Sequence, residues 1–292
     1  MTIAYALGGG GARGIAHIGV LKALDEAGIR PDLVVGTSMG SIVGAVYAQT
    51  QKASEVEKRM QDFIASKEYD AMDLGYYHRT STGNRFFGHF AKRLEERIVI
   101  NLSVSQKSVI KNDILNQALD VLLEPALIED LPLKYAAVAG DLVSGEKTVL
   151  TTGDLKTAVL ASSSIPGFLP PVEYAGMQLA DGEISDLVPC QTAKELGATF
   201  VITIDVSQDL VPSPPLENAL DIMFRAGHIK SHDLRLLRMS ASDFTIHPDV
   251  GTFHWTNFEA YEELIEAGYK TGLEILSRLE KKLKMRKWQF WK

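Results

Sequence analysis

Two glycine-rich motifs near the N-terminus constrain the fold of this chain more than any other feature. The first, GGGGARG at residues 8–14, follows a short β-favouring run, TIAYAL, and precedes an amphipathic helical pattern. The second, GTSMG at residues 36–40, follows the apolar run LVV and precedes a small, apolar segment of helical character. Because strand, loop and helix alternate twice, this stretch predicts parallel strands joined by helical crossovers.

The same alternation continues along the chain. We expect a strand at residues 135–139, a helix at 155–162, a hairpin around Gly176 that ends at Asp181, and a doubly buried strand at 200–206. The sequence contains no internal repeat and no long linker. It therefore predicts an α/β fold with three layers, in which helices cover both faces of a mostly parallel sheet.

One part of the chain has no clear period. Residues 67–88 combine aromatic side chains with turn-forming residues, before helical spacing returns at residues 91–99 and 110–123. Two interpretations of residues 67–88 stay open, a loop that covers a substrate and a packed connector.

Composition excludes several classes of protein. Hydrophobic residues at 46% and charged residues at 23% are typical of a soluble globular protein. The net charge of -7 argues against a general nucleic-acid binder, since phosphate neutralisation needs a basic surface. Cys190 is the single cysteine, so the chain has no internal disulfide and fits a reducing compartment. We find no secretory signal pattern and no apolar run near the ~18 residues of a spanning helix, and we expect a cytoplasmic protein.

Ser38 lies in a GxSxG pattern between a predicted strand and a predicted helix. In that context a serine sits on a sharp, strained turn, and Gly36 and Gly40 let the turn close and a substrate approach. The start of the following helix also places amide groups and a positive dipole end near the hydroxyl. The motif predicts a nucleophile; a glycine-serine turn in which Ser38 only caps the helix is the alternative.

The first motif has two interpretations. Gly9, Gly11 and Gly14 spell GxGxxG between a strand and a helix, which is typical of a dinucleotide site. Such a site needs an acidic residue about twenty positions further on, and the second predicted strand ends without one. An oxyanion hole needs only backbone amides that a substrate can approach, and it completes a serine hydrolase.

A serine nucleophile also needs a base. Three carboxylates follow predicted strands or turns, Asp141, Asp181 and Asp205. The order Ser, Asp, His of an α/β-hydrolase is met by Asp181 with His247 or His254. That fold places several elements before its serine, whereas here the serine follows the second strand. A direct Ser-Asp dyad is the better fit.

Taken together, four sequence blocks resemble the patatin-like phospholipases, over nearly the whole chain to about Asp205. The blocks are the glycine-rich loop at residues 9–14, the elbow at 36–40, the small-residue stretch ASSSIPGFLP at 161–170, and Asp181-Gly182-Glu183. The resemblance implies a patatin-like fold and a serine lipid acyl hydrolase, of phospholipase, lysophospholipase or carboxylesterase type, that acts on a lipid ester. The alternative is a non-catalytic or regulatory member that binds acyl lipids or a protein partner.

The resemblance also implies roles for individual residues. Ser38 is the nucleophile, Asp181 takes its proton, and neither a metal nor a cofactor is required. The oxyanion hole is formed by the loop Gly9, Gly10, Gly11, Ala12, Arg13 and Gly14, with the amides around Gly10, Gly11 and Ala12 as donors. Arg13 either orients this loop, binds a lipid phosphate or is a surface residue.

Two residues depart from the family pattern. Glu183 stands where Gly or Ala is usual, and Asp186 stands where Asn is common. We expect the carboxylate of Glu183 to raise the pKa of Asp181 by like-charge repulsion, which would shift the pH optimum upward.

The last segment reverses the acidic balance of the chain. Residues 278–292 contain seven cations and one acid, together with two tryptophans, after leucines at helical spacing. A basic amphipathic end of this kind predicts peripheral contact with the inner face of an anionic membrane. The alternatives are a solvated terminus and a helix docked on a partner. We therefore divide the chain into a catalytic domain, residues 1–272, and a tail, residues 273–292.

Overall fold

A computed structural model describes residues 1–71, 112–213, 215–216 and 219–289. Residues 72–111 lie outside this part, and with them most of the segment predicted as a lid or connector, including the predicted helix at 91–99. Its first residues, Lys67–Ala71, form a short helix rather than irregular structure.

Eight strands of the described residues form one sheet. They are β1 (Ile3–Leu7), β2 (Leu33–Thr37), β3 (Lys134–Asp141), β4 (Lys147–Leu150), β5 (Val172–Tyr174), β6 (Met177–Asp181), β7 (Phe200–Ile204) and β8 (Phe244–Ile246). Hydrogen-bonded neighbours follow the path β5-β6-β3-β2-β1-β7-β8, and β4 also pairs with β3. Along this path, β6 and β2 pair with successive parts of the same edge of β3. Strands β3, β2, β1, β7 and β8 are parallel, and β4, β5 and β6 are antiparallel to their neighbours.

Helices of the described residues cover both faces of the sheet. They are α1 (Ala16–Glu26), α2 (Met39–Thr50), α3 (Ala53–Ile64), α4 (Lys67–Ala71), α5 (Asn112–Leu122), α6 (Leu155–Ser162), α7 (Glu183–Asp186), α8 (Cys190–Glu195), α9 (Ala219–Arg238) and α10 (Tyr261–Gln289). Side chains alternate along β1, so that Tyr5 and Leu7 join the larger core with α1 and α2, while Ala4 and Ala6 join a smaller core with α8. The predicted three-layer architecture and mostly parallel sheet are confirmed.

The register of β3 brings two distant chain segments together. On one edge of β3, Thr37 at the end of β2 pairs with Val138, and Asp181 at the end of β6 pairs with the next residue, Ala139. Strand β4 occupies the opposite edge along the same residues. Because β2 and β6 run in opposite directions, their carboxyl ends meet head to head. Ser38, which follows Thr37, is thereby placed beside Asp181.

The long helix α10 packs against α1 at two glycines. A Cβ at Gly19 would overlap the carbonyl oxygen of Ile265, and a Cβ at Gly268 would overlap that of Ala16. The two backbones therefore approach more closely than side chains permit. Helix α10 continues without a break across residue 272, and Leu279 and Leu283 of the proposed tail are buried in the larger core.

We expect Gly268→Ala to destabilise the protein by roughly 1–3 kcal/mol, because the added methyl group forces α10 away from α1. Gly227→Ala is a matched control, since Gly227 is also helical and nothing lies within 4 Å of its Cβ position. That control should raise the free energy of unfolding by about 0.5–1 kcal/mol through helix propensity. Urea unfolding measures the free energy of unfolding of both variants. Equal changes in the two variants would contradict the close packing of α10 against α1.

Candidate active site

Ser38 lies on a strained turn between β2 and α2. Its backbone has φ 54° and ψ -126°, a conformation that L-residues rarely adopt, and its side chain is 9% exposed. The flanking glycines are required by close approach: a Cβ at Gly36 would overlap the backbone of Gly40, and one at Gly40 would overlap the carbonyl oxygen of Leu7. The GxSxG pattern thus lies on a strained turn between a strand and a helix.

Asp181 lies at the end of β6 and is 1% exposed. Its Oδ1 accepts a hydrogen bond from the backbone amide of Glu183 at 2.8 Å. Burial raises the pKa of this carboxyl group, and interaction with the Ser38 hydroxyl offsets part of that rise. Its Oδ2 is buried and makes no hydrogen bond of regular geometry within the described residues.

Burial raises the pKa of Asp181 to about 7. The negative charge of Glu183 adds to this effect, as the sequence predicts, but desolvation of the carboxylate contributes more. A carboxyl group with this pKa can exchange a proton near neutral pH, which is what a general base requires.

The last residue of α6 and the residues that follow it hold the backbones of Ser38 and Asp181 in position. The carbonyl oxygen and hydroxyl of Ser162 both accept from the amide of Ser38 at 3.1 Å, and the hydroxyl donates to the carbonyl of Val138 at 2.6 Å. The carbonyl of Ser164 accepts from the amide of Asp181 at 2.8 Å. The sequence predicts no role for these serines, because nothing in it shows which distant backbone groups they contact.

The glycine-rich loop follows β1, next to Ser38. Its outer amides are already engaged: Gly9 donates to the carbonyl of Leu187 at 2.9 Å, and Ala12 donates to that of Trp255 at 2.7 Å. Within the described residues, no hydrogen bond engages the amides of Gly10 and Gly11. Gly11 has φ +57°, and a Cβ there would overlap the Trp255 carbonyl oxygen.

The remaining predicted loop residues have different surroundings. Arg13 donates through Nε to the carbonyl of Gly10 at 3.2 Å, and burial lowers the pKa of its guanidinium group. Gly14 packs against Met39 inside a 3-10 helix. His17, which the sequence analysis did not consider, is buried with Nε2 2.8 Å from the carbonyl of Gly8, and burial lowers its pKa to about 4. Arg13 and His17 therefore hold the loop in place.

A cavity of about 440 Å³ opens onto Ser38 and the loop. Its apolar lining comes from several elements: Ile165, Pro166, Phe168, Ile184, Leu187, Met223, Leu234 and Trp255. The rings of Phe168 and Trp255 meet edge to face, with centroids 5.5 Å apart. Arg13, Glu183, His228 and Lys230 add charged or titratable groups. Asp181 does not line the cavity and lies behind Ser38.

The other candidate bases have different partners. His247 lies 3.7 Å from Asp205, which also binds Arg235 at 2.8 Å, and His254 is 2.8 Å from the hydroxyl of Thr256. The carboxylate of Asp141 accepts hydrogen bonds from its own turn at residues 143–144. The structure does not assemble the alternative triad of Asp181 with His247 or His254.

The second departure from the family pattern lies away from the serine. The carboxylate of Asp186 is buried, accepts from the hydroxyl of Thr192 at 2.6 Å and pairs with Arg238 at 3.1 Å. Burial raises its pKa. Only its backbone reaches the site, where its carbonyl oxygen accepts from the hydroxyl of Thr37 at 2.7 Å.

In the part of the chain that the structure describes, no group of three or more His, Cys, Asp or Glu side chains is arranged to hold a metal ion. No helix there has both the length and the apolar character needed to cross a membrane.

Known proteins have sequences similar to this chain. Patatin-like phospholipase domain-containing protein 6 of Mus musculus is 30% identical, over 94% of this chain and 20% of that protein. Lysophospholipase NTE1 of Debaryomyces hansenii is 27% identical, over 96% of this chain and 18% of that protein. An NTE family protein of Mycobacterium bovis is 33% identical, over 70% of this chain and 49% of that protein.

The chain spans about one fifth of the length of the first two relatives. The family model described as patatin-like phospholipase matches residues 5–194, which include the glycine-rich loop, Ser38 and Asp181. The chain therefore belongs to the patatin-like phospholipase family.

Proposed function

We propose that this protein is a serine lipid acyl hydrolase that uses Ser38 and Asp181 as a catalytic dyad. The observation that carries the proposal is the meeting of the ends of β2 and β6, which brings the buried carboxyl group of Asp181 to a serine on a strained turn. Family membership and the names of the relatives, one a lysophospholipase, support a lipid ester as substrate.

The dyad supplies both proton transfers of ester hydrolysis. Asp181 takes the proton of Ser38 as Oγ attacks the carbonyl carbon of the ester, and it returns that proton to the leaving alcohol as the ester bond breaks. The acyl group stays on Ser38. A water molecule then attacks this acyl-serine and gives its proton to Asp181, which returns it to Oγ as the carboxylic acid leaves.

The oxyanion of each tetrahedral intermediate needs donors that are not already used. We assign this role to the amides of Gly10 and Gly11, since Gly9 and Ala12 donate to backbone carbonyls. Arg13 holds the carbonyl of Gly10, so its contribution is to orient the loop. The amide of Ala12, which the sequence analysis included as a donor, instead fastens the loop to Trp255.

The cavity favours a substrate with an apolar chain and a polar head. Aromatic and aliphatic side chains line most of it, as an acyl chain requires. Arg13, His228 and Lys230 line the same cavity together with the carboxylate of Glu183, and the basic groups suit the phosphate of a phospholipid or lysophospholipid.

Labelling with a fluorophosphonate probe tests the nucleophile. We expect Ser38→Ala to abolish labelling, and Asp181→Asn to slow hydrolysis of a short-chain ester about 10²–10⁴-fold, since the base is lost while the side-chain shape is kept. His254→Ala is the control and should retain both activities. Labelling that persists in folded Ser38→Ala would contradict the proposal; unlabelled wild type would favour a non-catalytic lipid-binding member.

The pH dependence of kcat/KM tests the base. For a neutral ester, kcat/KM should rise with pH through about 7, because Asp181 accepts a proton only when ionised and burial raises its pKa to about 7. In Glu183→Gln the like charge is removed, the pKa of Asp181 falls, and the rise moves to lower pH. Glu146→Gln, a distant carboxylate on an exposed turn, should leave the profile unchanged. If kcat/KM of Glu183→Gln rises at the same pH as that of the wild type, Glu183 does not influence the pKa of Asp181.

A further inference from the structure

The outward face of helix α9 is apolar. Among the described residues, fifteen large hydrophobic side chains are exposed, and seven of them lie between residues 211 and 237. Five of these lie on α9, namely Ile222, Met223, Ile229, Leu236 and Leu237, and the other two, Val211 and Leu216, precede the helix. A helix at a protein surface usually presents polar side chains to water, and a continuous apolar patch indicates an interaction site.

Three of these residues form a stripe along the helix. Ile222, Ile229 and Leu236 follow one another at seven-residue spacing and cover about 21 Å of helix length. They are 55%, 41% and 54% exposed. Arg225, Lys230 and Asp233 are the charged side chains that flank the stripe, so the face carries one net positive charge.

This face is continuous with the rim of the candidate active site. Met223 is 68% exposed and also lines the cavity, as do Gly227 and Leu234 of the same helix. Arg235 fixes the helix in place: it donates to Asp205 at 2.8 Å, one residue beyond β7. Helix α9 therefore lies across the carboxyl edge of the parallel strands, where Ser38 also lies.

The basic end of α10 lies at the opposite edge of the sheet. Arg286 donates to the carbonyl of Thr199 at 3.5 Å, and Lys282 donates to that of Asp243. These two acceptors immediately precede β7 and β8, which run parallel to β2. A membrane bound at the predicted basic tail would therefore face away from Ser38.

We propose that the outward face of α9 is the surface by which this protein docks on a layer of packed zwitterionic phospholipid. The inference rests on the proposed lipid hydrolase function. Apolar side chains enter the interfacial region, and Met223, shared by the face and the cavity, lets a lipid pass from the layer to Ser38 without crossing bulk water. Because the face has little net charge, docking needs no anionic lipid and is insensitive to salt.

Sedimentation with phosphatidylcholine vesicles tests the docking face, in the Ser38→Ala background so that the lipid stays intact. The triple variant Ile222→Ser/Ile229→Ser/Leu236→Ser should partition at least about ten-fold less than its parent, at low and at high salt. The control Leu273→Ser/Met285→Ser removes exposed apolar side chains of α10 and should bind like the parent. Unchanged binding of the triple variant overturns the proposal. Binding that requires anionic lipid and disappears at high salt would also overturn the proposal, because it would indicate contact through the basic tail.

Two further measurements separate this inference from the proposed function. With Ser38 intact, the triple variant should hydrolyse a water-soluble short-chain ester at the wild-type rate and vesicle phospholipid more slowly. If the wild type does not hydrolyse the soluble ester, the proposed hydrolase function is wrong. The vesicle-binding result would still decide whether α9 is the docking face. The single change Leu237→Ser, at the most exposed of the seven positions, repeats the binding test if the triple variant misfolds. If light scattering shows that the wild type is a dimer and the triple variant a monomer, the face binds a second copy of the chain, and the proposal is wrong.

Discussion

The shared edge of β3 is the constraint on which the rest of this structure depends. The ends of β2 and β6 approach from opposite directions and pair with consecutive residues of β3, so neither strand can continue. Each chain must turn away, into α2 after Ser38 and into α7 after Asp181. Two residues separated by more than a hundred positions thus meet on rigid elements rather than on loops. The glycine-rich loop after β1 reaches the same edge because β1 is parallel to β2.

Removal of water dominates the electrostatics of this site. Asp181 is buried behind the serine, and desolvation affects its pKa more than any neighbouring charge does. His17 is equally buried, and because burial lowers its pKa to about 4 it is neutral at physiological pH, where it holds the carbonyl of Gly8. Burial thus keeps His17 uncharged and moves the pKa of Asp181 close to neutral pH.

The sequence predicted the local features of this site well and the long-range ones poorly. Glycines at 36 and 40 and the strand-to-helix context predicted the turn at Ser38, because these constraints act between residues close in the chain. Asp181 was selected through the resemblance to a family, since three carboxylates met the local criteria. The Ser162 and Ser164 acceptors and the engaged amides of Gly9 and Ala12 depend on distant backbone atoms. No side-chain pattern encodes such contacts.

The hydrogen bond from Ala12 to the carbonyl of Trp255 ties the first helical turn of the chain to a residue far outside the matched family segment, which ends at 194. Gly11 has no Cβ where this carbonyl approaches. The glycine-rich loop is thus held from the C-terminal third of the chain. A protein cut after residue 194 would retain Ser38 and Asp181 and still lack the contact that holds this loop in position.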